Sequence, residues 1–355
     1  MAGHEINGNL ASWEDLEHEG YDGRALLLGN GLSIQVWGDF AYGSLFEQAK
    51  RSKSGGLSDE DLRLFAAYDT ENFERALSQL SAAITSAEAL GENPAPYYMR
   101  YETIQRALGR AILGVHIELS EVPEDARRII KTVMLEHDVV FTTSYDLLVY
   151  WAMGYEENYG DLKDCFWGPN CSFDSKDAAV WNGTPVYYLH GAMHLVTMTG
   201  GKTRKIVRTA TRNVLDQFGR QLDGDPHTRP LIVTEGSSAD KRRAIEDNDY
   251  LTHANKQLRE CTAPLTLFGS SLDGQDQHLI DAINENYERP VAVSIRRPSG
   301  PGAKNKIRKR QAEIRGRLHD VEEVYFFDAA THPLGDKALI KQETLWRRRL
   351  TKRVA

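Results

Sequence analysis

The chain predicts an α/β fold: a mainly parallel sheet with helices on both faces and one helical insertion. Three observations carry this. Short apolar runs rich in Val, Ile, Leu and aromatics recur along the chain, too continuous for strands with one wet face. Helical stretches separate several of them, as the crossovers of a parallel sheet require. Between residues 57 and 137 the strand signal vanishes, and apolar stripes at helical spacing replace it.

The first strand is Leu26-Leu27-Leu28, and it stops on Gly29-Asn30-Gly31. SIQVWGDFAYGSLFEQA, residues 33–49, reads as a loop punctuated by Gly38 and Gly43, and SKSGG (52–56) as an exposed connection. Ser58 with Asp61 makes a capping-box pattern. Phe73, Leu77, Leu80 and Ile84 share one helical face, with Gly91 as the stop. Tyr101, Ile104, Leu108, Ile112 and Val115 form a second stripe, and Pro123 opens a helix carrying Ile129, Ile130, Val133 and Met134. Strand signals return at 138–146, 185–191, 229–236, 263–271, 289–295 and 321–327. Residues 298–305 resemble a linker. Residues 304–318 make an amphipathic helix with Ile307, Gln311, Ile314 and Leu318 on one side.

The expected organisation is a core from 1–56 and 138–328, a helical insertion over 57–137, and a basic C-terminal tail over 329–355. With 41% hydrophobic and 26% charged residues, 355 residues suffice for a sizeable core. No run approaches the ~20 apolar residues of a membrane helix. The polar, acidic N-terminus lacks a signal-peptide layout, so a cytoplasmic location is expected. Cys165, Cys171 and Cys261 form no CxxC pair, so neither a zinc site nor a disulfide scaffold is expected. The net charge of −8 conceals a balance of +9 from Arg296 onward. That region can meet nucleic acid, an acidic partner or the protein's own acidic body; the last is the plainest reading, and no nucleic-acid recognition motif is present.

Four strands end in residues that suit a site rather than a core. They are Gly29-Asn30-Gly31-Leu32-Ser33, Thr142-Thr143-Ser144-Tyr145-Asp146, Leu189-His190-Gly191 and Gly269-Ser270-Ser271. In open parallel sheets, ligands bind beyond the carboxyl ends of strands. Each motif has a plainer reading. Asp146 suits a helix cap, His190 a core histidine, and the glycines ordinary turns. His190 and His194 have HxxxH spacing, but no acidic ligand accompanies them. Lys241, Arg242 and Arg243 could meet a phosphate, with a solvated helix face as the plainer reading; Asp276 and His278 could enter the site, with Asp276 as an N-cap the simpler account.

The order of the four motifs resembles the sirtuin-like NAD-binding superfamily, whose motifs are Gly-Ala-Gly-x-Ser, Thr-x-Asn-x-Asp, a histidine and Gly-Thr-Ser. FTTSYDLLVYWA and YLHGAMHL are also similar to a bacterial branch known mainly as a domain of unknown function. The resemblance spans about residues 25–295 and implies a Rossmann-like core that binds NAD without a metal. It implies that Gly29, Asn30, Gly31, Ser33, Phe40, Thr143, Gly269, Ser270 and Ser271 contact the cofactor. It implies catalytic roles for His190, Ser144 and Asp146. Gly29 and Gly31 are expected to make room for phosphates and ribose, so a bulky residue at Gly31 should abolish NAD binding while sparing the fold.

Two departures shape the expected activity. The zinc ribbon cysteines of the deacylases are missing, and Ser144 replaces the motif asparagine. The resemblance therefore implies an NAD glycohydrolase releasing nicotinamide and ADP-ribose, of a kind used in bacterial antiviral defence after activation by oligomerisation or a protein partner. The alternatives are a catalytically silent NAD or ADP-ribose sensor, and an interaction protein using the basic C-terminal region.

Overall fold

A computed structural model describes residues 5–52, 55–157, 160–177, 182–222, 224, 228–233 and 238–341. Its main sheet contains β1 (Ala25–Leu28), β2 (Val139–Thr142), β3 (Leu162–Lys163), β4 (Thr184–Tyr188), β8 (Leu265–Phe268), β9 (Val291–Ile295) and β10 (Val324–Asp328). Their order is β10-β9-β8-β1-β2-β4-β3, and every pairing is parallel. The fold is α/β and Rossmann-like. Apart from the edge strand β3, the chain builds outward from β1 through β2 and β4, then returns to β1 and builds outward through β8, β9 and β10. The order thus reverses between β1 and β8, the point where such sheets open a crevice.

Residue type explains the centre of this sheet. All four side chains of β1 are buried, as are those of β8, because helices cover both faces of the sheet. Register then aligns the strand ends. Leu28 pairs with Thr142 on one side and Phe268 on the other, and Thr142 pairs with Tyr188. The segments after these residues emerge together at one edge.

The helices Asp59–Ala67, Phe73–Leu90 and Ala95–Val115 form a second apolar cluster around Phe65, Phe73, Leu77, Ile104 and Ile112. The Ser58–Asp61 capping box is present, and Gly91 ends its helix at φ 69°. The helix Glu124–Leu135 differs from its fellows: Ala126, Ile130, Val133 and Met134 join the core of the main sheet.

Several expectations need correction. Residues 33–49 are not a loop. The helix Asn30–Val36, a 3-10 turn Gly38–Phe40 and the helix Tyr42–Arg51 occupy them. Leu45, Phe46 and Ala49 recur at helical spacing and bury against the second cluster, a pattern the flanking glycines masked. The 229–236 run supplies β7 (Thr228–Ile232), but not to the main sheet. It pairs antiparallel with β5 (Gly191–Met198), which also pairs with β6 (Thr203–Lys205). Residues 329–341 are no free tail: Leu334 and Leu339 are buried, and the Lys341 amide donates to the Val36 carbonyl at 2.8 Å. Residues 234–237 and 342–355, with most of the basic end, lie outside the described residues.

The basic helix Ala303–Arg317 packs on its own protein. Ile307, Gln311 and Ile314 are buried, and Gln311 accepts from the Gly8 amide and donates to the Asn9 carbonyl. No helix among the described residues is long and apolar enough to cross a membrane.

Candidate functional site

A cavity of about 670 Å³ lies at the carboxyl edge of the sheet. That is within the roughly 300–1,000 Å³ range of small-molecule sites. Gly29, Asn30 and Gly31 after β1, Thr143 and Ser144 after β2, His190 after β4, and Gly269, Ser270 and Ser271 after β8 all line it. Ser33 and Asp146 stand behind the wall, hydrogen-bonded to it or to each other. Phe40 does not reach the cavity. It is buried edge-on against His116, and its carbonyl accepts from the Asn30 side chain at 3.4 Å.

The glycines serve each other first. A Cβ on Gly29 would lie 2.4 Å from the Gly269 carbonyl oxygen, and one on Gly31 would lie 2.6 Å from the Gly269 Cα. Gly269 itself has φ +71°, and a Cβ there would meet the Leu32 amide nitrogen at 2.7 Å. The Gly31 N–H donates to the Gly269 carbonyl at 2.8 Å, so it is already engaged. The space that these glycines make is thus for backbone against backbone. The expected purely ligand-clearing role, with a fold indifferent to a bulky residue at Gly31, does not hold.

Ser144 carries a directed chain of hydrogen bonds. Ser33 Oγ donates to Asp146 Oδ2, and lies 3.0 Å from Ser144 Oγ. With the Ser33 proton committed to the carboxylate, Ser144 donates to Ser33 and keeps its own lone pairs for the cavity. Asp146 Oδ1 accepts from the Leu148 amide at 2.8 Å, so the carboxylate, one residue before the N-cap Leu147, also satisfies the first amide of the next helix.

His190 is 4% exposed and bonds His278 through their Nε2 atoms at 2.8 Å. Burial, and then the nearby Lys241 ammonium, push His190 well below its usual range, so the ring is neutral. His194 is in strand β5, not a helix. It stacks on Tyr150 at 4.4 Å between ring centroids, which makes HxxxH ligation on one helical face impossible.

One end of the cavity holds a cluster that the sequence concealed. Glu74, from the insertion, accepts from Lys241 at 2.9 Å and from the Tyr145 hydroxyl at 3.3 Å. Lys241 also pairs with Asp276 at 3.2 Å. The solvated face expected for Lys241 is wrong, because its side chain is 1% exposed. Asp276 occupies the N-cap position, yet its side chain makes no capping bond and reaches Lys241 instead. Burial holds the Glu74 carboxyl above its ordinary range, opposed by Lys241. The cavity wall also carries the cations Arg296, Arg310 and Lys337.

The residues present match the chemistry of a dinucleotide. The wall carries Arg296, Arg310 and Lys337, cations of the kind that pair with phosphates, and the Ser144 hydroxyl and His190 imidazole, groups of the kind that bond ribose oxygens. Among the described residues, no group of three or more His, Cys, Asp or Glu is arranged to hold a metal ion.

Fold and site define an α/β protein with a cavity of mixed polar and apolar lining at the switch point of a parallel sheet. The chain belongs to the family described as Domain of unknown function (DUF4917), whose model matches residues 26–334. No curated protein matches it. Among solved structures, it is similar to one described as a Sir2 homolog–NAD complex, at 11% identity and TM-score 0.38, covering 90% of this chain and 97% of that one. It is similar to Sir2Tm bound to a propionylated peptide at 11% identity and TM-score 0.36, covering 96% and 97%. A third, from work on the mechanism and regulation of Sir2 enzymes, has 13% identity and TM-score 0.33, covering 84% and 93%.

Proposed function

We propose that the protein binds NAD in this cavity and hydrolyses it to nicotinamide and ADP-ribose. The observation that carries this reading is the convergence of four motifs, separated by up to 240 residues, on one cavity at the β1/β8 switch point. Arg296, Arg310 and Lys337 would hold the pyrophosphate side, leaving Ser144 and His190 to face the nicotinamide ribose. Bound NAD supplies a glycosidic bond whose cleavage leaves cationic character on the ribose. Ser144, oriented through Ser33 and Asp146, would hold the attacking water, and neutral His190 would accept its proton. Control by oligomerisation or a protein partner, and a role in antiviral defence, belong to the same reading.

The test is nicotinamide and ADP-ribose release by the purified protein, with His190→Ala as control. Release by the wild type alone is expected. NAD binding without release favours the sensor reading, for which Ser144 in place of asparagine is the supporting observation. Absence of binding removes both.

A further inference from the structure

His190 does not act as a lone imidazole. His278, in the first turn of the helix Gln277–Asn284, places its Nε2 atom 2.8 Å from that of His190, with the rings tilted by 37°. Two ring nitrogens at this separation need one proton between them, because two lone pairs or two N–H groups would repel. His278 is buried and outside the cavity lining, so it reaches a ligand only through its partner. Nδ1 is then the one His190 ring nitrogen that can serve a molecule in the cavity.

Charges on two neighbouring elements act on the pair. Burial weighs most against a cation on either ring; Lys241 adds to it at both, His190 and Arg242 add to it at His278, and Asp276 opposes it there. The resting pair is neutral and holds two ring protons, one of them shared. When His190 carries the shared proton, its Nδ1 is bare. A proton arriving at Nδ1 can then send the Nε2 proton across to His278. His190 ends neutral, and the new positive charge passes transiently to His278, where Asp276 partly offsets burial and Lys241.

We infer that His278 is a positioning residue for His190, holding its Nε2 in a shared-proton bond that leaves Nδ1 to face the cavity, and receiving the proton that His190 takes from water. The inference rests on the hydrolysis proposed above. There, a bond forms between the water oxygen and the ribose carbon. The ribose–nicotinamide bond breaks, and its electron pair leaves with neutral nicotinamide. The proton lost by water passes to His190 Nδ1 as the Nε2 proton passes to His278. Placing that charge on the farther ring keeps it away from the cationic ribose.

Nitrogen-15 NMR of the full chain with labelled histidine reads the dyad directly, without NAD. Coupling across the Nε2–Nε2 bond is expected, with neither ring charging between about pH 8 and pH 6. His278→Gln can still bond His190 but cannot take up its proton. It should keep NAD affinity within about twofold and lose roughly tenfold or more in turnover, whereas His278→Leu should also release the His190 tautomer. Absence of the shared proton, or full turnover in His278→Gln, overturns the relay. A shared proton in a wild-type protein that releases no nicotinamide supports the positioning bond and overturns the hydrolysis, which separates the two claims.

Discussion

The Gly31 amide donates to the Gly269 carbonyl at 2.8 Å, joining the segment after β1 to the segment after β8 across the switch point. The two backbones touch because neither carries a Cβ at the contact. The cavity wall is therefore also a structural joint.

Gly31→Ala tests this. Its Cβ would fall 2.6 Å from Gly269 Cα, and backbone cannot swing aside as a side chain can. Overpacking should cost about 1–3 kcal/mol in urea denaturation. Gly38→Ala, where a Cβ meets nothing within 4 Å, is the control and should change stability by about 0.5 kcal/mol or less.

Lys241→Met tests the buried cluster. Glu74 and Asp276 would lose their shared cation while Glu74 remains buried, a change that typically costs about 3–5 kcal/mol. The pH dependence has a definite sign. Burial already raises the Glu74 carboxyl above its ordinary 4.5, and loss of Lys241 raises it further. Such a carboxyl stabilises the fold below its unfolded value and loses that contribution as pH rises through its folded value. The deficit of Lys241→Met relative to wild type should therefore be larger at pH 8 than at pH 5, measured by denaturant unfolding at both.

Ser144 tests the hydrolytic reading. Ser144→Ala removes the cavity hydroxyl but leaves the Ser33–Asp146 bond in place, and should lower nicotinamide release roughly tenfold or more. Ser144→Asn restores the residue type of the resembling motif and should retain or increase release. If the wild type only binds NAD, cleavage appearing in Ser144→Asn would identify the serine as the reason for its silence.

Much of the fold was legible in the sequence because β1, β2, β4, β8, β9 and β10 are short apolar runs, and their ends carry residues of low bulk. The β5–β6 hairpin was missed, although Thr199-Gly200-Gly201-Lys202 between β-prone segments is a turn signal. Glu74 was invisible for a physical reason. It adjoins Phe73 in a helix whose apolar stripe explains the segment by itself, and only the tertiary fold brings it to Lys241, 167 residues away. Lys241 shares its run with Arg242, which is half-exposed and pairs with Asp281, so local charge pattern does not separate the buried cation from the wet one. Residues 329–341 read as part of a basic tail because Leu334 and Leu339 are isolated apolar residues whose burial depends on contacts with distant segments.

The most direct measurement of the central claim is a calorimetric titration of NAD into the wild type and Ser271→Trp. Ser271 is an exposed residue of the cavity wall, so a tryptophan there occupies the cavity without disturbing the buried core. The account expects saturable NAD binding to the wild type and loss of binding in a variant whose unfolding midpoint is unchanged. Equal NAD affinity in both proteins, or no binding to the wild type, would contradict it.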